Sequence, residues 1–270
     1  MYDVIIIGAG MAGMTAAIYA ARAGKAVLVL ESKITGGQIV NSARVDNWPG
    51  ELGISGAELM DKIYHQANKL GAEFRYEVVE EVGDNRDSRD GSGCFRIKTD
   101  ESEYICHDII IATGTTPRKL SKKQMEMAGE RPISYCATCD GALYKDKPVV
   151  VVGSGNTAKH EISYLTDIAS KVYQIHHDDP IPEGAEAIFV AIGRVPDTAV
   201  FAGFVEMDAD GYIIASEDCR TSREGVFVAG DCRTKSVRQL VTAAADGAVA
   251  VSEIMKDVMK GEKGDRKAKK

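Results

Sequence analysis

Aromatic residues are scarce in this chain of 270 residues: phenylalanine, tyrosine and tryptophan together make 6%, with a single tryptophan. A chain dominated by aliphatics and glycine suits layers of helix on sheet better than a β-sandwich. Positive charge is also in short supply. Lys and Arg number 33 against 40 Asp and Glu, which leaves a net charge of -7. That excludes the basic surface of a nucleic-acid protein, although a local basic docking patch stays compatible with it. No charge-free apolar run reaches the length of a membrane span. The N-terminus "MYDVIIIGAGMAG" is apolar, but Asp3 stands where a signal peptide carries positive charge, and glycines break the run. The cytoplasm is therefore the expected compartment. The charged end "KGEKGDRKAKK" has no apolar anchors and reads as a disordered tail.

What is present is a repeat. "VIIIGAGMAG" (4–13) and "VVVVGSGNTA" (149–158) share one design: four β-branched residues, then G-x-G-x-x-G or G-x-G-x-x-A, then a helical run. Glycines let such a turn close tightly and let backbone N–H groups approach a pyrophosphate at the helix N-terminus. "DIIIATGTTP" (108–117) and "AIFVAIGRVP" (187–196) end both copies with the pattern A-x-G-x-x-P. From Gly8 to Gly114 is 106 positions, and from Gly153 to Gly193 only 40. The second copy is 66 residues shorter, with room for one βαβ unit and a closing strand.

In the first copy, the strand "KAVLVLE" ends at Glu31. A carboxylate there accepts hydrogen bonds from a ribose diol, or is a solvated strand-end acid. Near the C-terminus, an apolar strand runs into Gly230-Asp231, and a small-residue helix begins near Gln239. An Asp in that place can hold ribityl hydroxyls while the helix N-terminus faces a flavin carbonyl.

Six cysteines are present, and only Cys136 and Cys139 form a C-x-x-C. In a reducing compartment such a pair points to redox catalysis or to a metal. Half of a zinc site would need a second ligand pair at similar spacing. Cys94, Cys106, Cys219 and Cys232 supply none, and His176 and His177 are adjacent. A redox dithiol at a helix start is the reading that remains in front. Asp140 follows it. A carboxylic acid there can donate a proton to a departing thiolate, or simply cap the helix.

The series "GAGMAG", "GGQI", "NWPG", "IIIATG", "CATCDG", "GNTA", "AIGRVPDT", "FVAGD" and "RQLVTAAADG" resembles the low-molecular-weight thioredoxin reductases from about Tyr2 to Lys256. The resemblance implies an α/β, two-domain FAD-dependent disulfide reductase fold. Its FAD lobe would span 1–116 and 195–270, and a truncated relative of the NADPH lobe, carrying the C-x-x-C, would be inserted at 117–194. It implies that Gly8, Gly10, Gly13 and Glu31 hold the adenosine and pyrophosphate of FAD. Gly37, Gln38, Asn47 and Val82 would lie toward the isoalloxazine, Gly114 and Gly230 at the strand-end turns, and Asp231, Arg238, Gln239 and Leu240 at the ribityl chain and pyrimidine edge. Cys139 would face the flavin and Cys136 would exchange with thioredoxin, helped by Asp140. No metal is implied. A homodimer and a rotation near Thr115–Pro117 and Arg194–Pro196 belong to the same expectation.

The chain departs from the family at the NADPH site. Where a His-Arg-Arg pattern would clamp the 2′-phosphate, it has His176, His177 and Asp178, followed by Asp179. Acids there repel a dianion. Three readings stay open: use of NADH, weak use of NADPH, or no nicotinamide. The last resembles the ferredoxin-dependent flavin thioredoxin reductases, whose ferredoxin would dock on a basic patch drawn from Lys119, Lys122, Lys123, Arg131 or Arg233. A flavin-bound redox sensor is the non-catalytic alternative.

Overall fold

A computed structural model of the chain describes residues 1–85 and 94–268. From the N-terminus come β1 (Tyr2–Ile7), α1 (Met11–Arg22), β2 (Val27–Leu30), α2 (Gly56–Lys69), β3 (Glu73–Arg75), β4 (Val79–Asp84), β5 (Phe95–Thr99) and β6 (Glu103–Ile111). The middle gives β7 (Thr115–Pro117), α3 (Lys122–Ala128), β8 (Ile133–Ser134), α4 (Ala137–Asp140), β9 (Pro148–Val152), α5 (Asn156–Thr166), β10 (Lys171–Ile175), β11 (Ala187–Val190) and β12 (Arg194–Pro196). β13 (Val226–Val228) and α6 (Leu240–Ala268) follow. The charged stretch from Lys260, expected to be irregular, continues α6 to Ala268, since Lys, Glu, Arg and Ala favour helix.

The chain divides into two compact units. The first comprises Met1–Ala43, Ile54–Thr115 and Pro196–Lys270, and the second Arg44–Gly53 and Thr116–Val195. β7 and β12, where the chain crosses between them, pair as a two-stranded ribbon.

In the first unit, β3, β2, β1, β6 and β13 lie parallel in that order. β6 has two jobs along one edge. Its residues 103–106 pair antiparallel with β5, and residues 109–111 pair with β13. The run Val4–Ile7 is buried to 5% exposure or less because helices and the meander cover both faces of the sheet. α1 packs on α6 so closely that a Cβ on Gly247 would stand 2.2 Å from the Ala12 carbonyl oxygen.

The second unit holds a four-stranded parallel sheet in the order β10-β9-β11-β8. Val150 and Val152 point into one core with Leu120, Ile181 and Ile188, while Val149 and Val151 join Leu165 and Phe189 in the other. Such two-sided burial explains the unbroken valine run. Nothing here corresponds to β3, to the β4–β5 meander or to α2, and the 66-residue deficit falls on those elements. No helix among the described residues is long and apolar enough to cross a membrane.

Candidate functional site

The first glycine turn joins β1 to α1. Gly8 has φ +107°, and a Cβ there would lie 2.4 Å from the Ala112 carbonyl oxygen at the end of β6. A Cβ on Gly13 would lie 1.9 Å from the Gly8 oxygen. Only glycine closes this turn. Gly10 caps α1 with no side-chain acceptor, and nothing lies within 4 Å of where its Cβ would be. Glu31, just past β2, accepts the Ala9 N–H at 2.8 Å and the Lys33 N–H at 2.9 Å, so its carboxylate grips the turn. The loop at Gly36 and Gly37 folds onto the same place: the Gly36 N–H donates to the Ala9 oxygen at 2.8 Å. Gln38 follows in a short turn over residues 37–41.

β13 delivers Gly230 and Asp231 to the same end of the sheet. The Ala229 N–H donates to the Ile111 oxygen, and a Cβ on Gly230 would stand 2.9 Å from that of Ala12. Arg238 fixes this turn, donating to the backbone oxygens of Asp231 and Arg233, both at 3.2 Å, and stacking on Tyr212. Gln239 and Leu240 then open α6. Gly114, at φ +70°, accepts the Asp197 N–H. Val82 sits apart from these turns. It pairs with Ile97 and packs on the core. Asn47 belongs to the segment grouped with the second unit.

In the second unit, Cys136 and Cys139 form a disulfide with Cα atoms 5.3 Å apart, Cys136 capping α4. The Ser134 hydroxyl donates to Asp140 at 2.6 Å and accepts the Cys136 N–H at 3.1 Å. The Ala137 N–H donates to Glu161 of α5, whose carboxyl burial pushes above its ordinary range. Tyr144, stacked edge-on against Phe189, supports the motif from behind, and burial pushes its hydroxyl pKa up. The remaining cysteines are buried, and desolvation raises Cys219 to about 12 and Cys232 to about 11. Such thiols stay protonated and inert. Among the described residues no cluster of three or more His, Cys, Asp and Glu is placed to hold a metal.

The second glycine turn repeats the first. A Cβ on Gly153 would meet the Ala191 oxygen at 2.4 Å, and Gly155 caps α5 without a side-chain bond. Beside it lies a recess of about 300 Å³ lined by Gly153, Gly155, Thr157, His177 and Ile192. Past β10, the loop closes on itself. Asp179 accepts the His176 N–H at 2.8 Å, and Asp178, at φ +76°, meets His177 at 3.1 Å. A hydrogen bond from Ser121 holds the Asp178 carboxyl below the usual range, so it is ionised at neutral pH.

The sequence profile of the pyridine nucleotide-disulphide oxidoreductases matches residues 2–185 and 182–247. The chain is 38% identical to a thioredoxin reductase of Listeria innocua, over 96% of this chain and 94% of that protein. It is 35% identical to one of Bacillus subtilis, with 94% of each covered. The crystal structure of thioredoxin reductase from Streptococcus pyogenes superposes with a TM-score of 0.85 at 31% identity, covering 96% of this chain and 99% of that one.

The chain belongs to the low-molecular-weight thioredoxin reductase family.

The alignment to the Listeria protein runs over 307 positions, more than this chain possesses, so that thioredoxin reductase carries residues missing here. FAD is the cofactor of the family, and the first unit fits it. The uncapped start of α1, the open space at Gly10 and the carboxylate of Glu31 offer N–H donors to a pyrophosphate and an acceptor to a ribose.

Two residues of this chain escaped the sequence reading. Asp246 of α6 is buried and binds the Gly230 N–H at 2.9 Å, Arg233 at 3.1 Å and Lys235 at 2.7 Å, tying the β13 turn to the helix. Its place inside the quoted "RQLVTAAADG" is a signal, but its partners are tertiary. Glu161 has no local signal at all.

Proposed function

We propose that the protein is a thioredoxin-disulfide reductase fed by reduced ferredoxin and not by a nicotinamide. Residues 1–116 and 195–270 form its FAD lobe, and 117–194 its dithiol lobe. Gly8, Gly10, Gly13 and Glu31 hold the dinucleotide half of FAD. Gly37, Gln38, Gly114, Gly230, Asp231, Arg238, Gln239 and Leu240 surround the remainder. FAD, once reduced by two successive one-electron transfers from ferredoxin, would supply the electron pair that opens the Cys136–Cys139 disulfide to a thiolate and a thiol. The Cys136 thiolate then attacks a sulfur of the thioredoxin disulfide and forms a mixed disulfide. Cys139 attacks the Cys136 sulfur, which restores the internal disulfide and releases dithiol thioredoxin. Asp140, hydrogen-bonded through Ser134, is placed to hold the proton that the departing thiolate needs.

The observation that carries the choice of donor is the loop past β10. Two acids stand where a 2′-phosphate clamp would be, one of them held ionised by Ser121. A dianion brought there meets like charge in place of arginine forks. The four-stranded sheet offers little further wall against which to orient a nicotinamide, and hydride transfer requires reacting atoms within about 3.5 Å. The intact glycine turn and its recess favour a second reading, an NADH-linked reductase.

Anaerobic mixing of the yellow protein with NADPH, NADH or reduced ferredoxin, followed in the flavin visible band, separates these. Rapid bleaching by ferredoxin alone is expected. Rapid bleaching by NADH or NADPH overturns the donor assignment. Multiple turnovers of thioredoxin disulfide distinguish a catalyst from a flavin-bound sensor.

A further inference from the structure

Both peptide N–H groups that flank the Cys136 carbon end on carboxylates. Its own N–H donates to the Ser134 hydroxyl, which donates in turn to Asp140. The next one, on Ala137, donates directly to Glu161. Asp140 comes from the motif itself, whereas Glu161 is brought by α5, the helix that follows the second glycine turn. We propose that Glu161 is a positioning residue of the redox pair: its carboxylate and the thiolate of reduced Cys136–Cys139 ionise at each other's expense.

Reduction adds two electrons to the disulfide and leaves two sulfurs. Either both take a proton or one stays a thiolate. A carboxylate bonded to the peptide that leaves Cys136 opposes that thiolate through partly buried protein, where charges interact more strongly than in water. The groups that face Glu161 are Arg194 of β12, which favours its anion, Asp140 of α4, which opposes it, and His160 on its own helix, which favours it. Ala137 is fully buried, so solvent does not reach this bond from the motif side. A thiol whose pKa is kept high is also the stronger nucleophile once deprotonated. Glu161 thus makes each thiolate more nucleophilic and the thiolate scarcer, and below the thiol midpoint the scarcity is the larger effect.

The inference rests on the redox role proposed for the pair, but its test needs neither thioredoxin nor an electron donor. Holoprotein reduced with dithiothreitol is desalted anaerobically and treated with iodoacetamide over a pH series. Labelling is read by mass spectrometry on the peptide that carries Cys136 and Cys139. Glu161→Gln removes the charge and keeps an oxygen to accept the Ala137 N–H. Its labelling curve is expected to move down by about one pH unit. Below the midpoint, labelling rises about threefold, because lower nucleophilicity offsets part of the gain in thiolate. Coincident curves for wild type and Glu161→Gln overturn the proposal. Should that variant fail to fold, the wild type carries the test in reverse, since such coupling is reciprocal. The signal of the ¹³C-labelled Glu161 carboxyl, assigned through its contact with the Ala137 amide, is expected to show a second inflection at the thiol midpoint in reduced protein and none there in oxidised protein. Absence of that inflection from the reduced protein overturns the proposal as well.

Discussion

Gly8 and Gly153 stand at the same point of the same frame, and a Cβ on either would meet a strand-end carbonyl oxygen, of Ala112 or Ala191, at the same 2.4 Å. The two turns then part. In the first unit the acid after strand two, Glu31, reaches back and binds the turn at Ala9. In the second the turn is held by a neutral amide, Gln174 donating to the Gly153 oxygen at 3.0 Å, and the acid Asp179 is spent on its own loop. The glycine turn is therefore a requirement of packing a helix onto a strand, met with or without a ligand. What a dinucleotide fold binds is written at the end of strand two. A preserved G-x-G-x-x-A alone says little about nicotinamide use.

The sharpest way to break this comparison is at the third position of each motif. Gly13→Ala puts a Cβ against the Gly8 oxygen, a backbone atom with nowhere to go. The cost is about 3 kcal/mol, enough to strip FAD from the purified protein, read as the ratio of visible to ultraviolet absorbance. The second unit carries Ala158 natively at that position, fully buried. Ala158→Gly is expected to cost about 1 kcal/mol and to leave FAD content alone. Flavin loss in Ala158→Gly would show that the two turns are not separable.

A smaller effect is expected at the end of strand two. Glu31→Gln weakens two charged hydrogen bonds and the acceptor for ribose, and FAD affinity measured by titration of apoprotein falls about tenfold, near 1.4 kcal/mol. Gln174→Ala removes the corresponding grip in the second unit. It is expected to lower stability by under about 1 kcal/mol, with flavin binding and bleaching by ferredoxin unchanged. A change in bleaching would mean that the second turn takes part in electron entry after all.

Much of this was legible from residue patterns. Glycine turns, β-branched strands and the A-x-G ends are local and periodic, so Val4–Ile7 and Pro148–Val152 are visible as buried parallel strands before any coordinates. The shortfall between Gly153 and Gly193 limited the second copy to one βαβ unit and a closing strand by counting alone, and β9, α5, β10 and β11 are those elements. Side chains that work across the fold were not legible. Asp246 sits in a small-residue helix and meets its partners at Gly230, Arg233 and Lys235 only when α6 packs beside β13. Glu161 lies 24 positions from the peptide it binds. The tail was misread because high charge, taken as disorder, is equally compatible with helix when proline is absent.

The least conspicuous difference between the copies lies within their closing strands, where Asp108 of the first aligns with Ala187 of the second. Ala187 is fully buried and costs nothing. Asp108 is half-buried, and desolvation, with the carboxylates of Asp257 and Asp3 nearby, raises its pKa to about 7 against the partial relief of Lys25 and Arg220. In the unfolded chain it titrates near 3.8. Between these values the folded protein holds a proton that the unfolded one has lost, so stability falls as pH rises from about 4 to about 7, and the deficit is complete above that. Asp108→Asn abolishes the penalty. Its melting temperature is expected to exceed wild type by about 3 °C at pH 8 and to match it near pH 4, measured by thermal unfolding of holoprotein. An equal gain at both pH values would assign the effect to packing and remove Asp108 from the electrostatic contrast between the two closing strands.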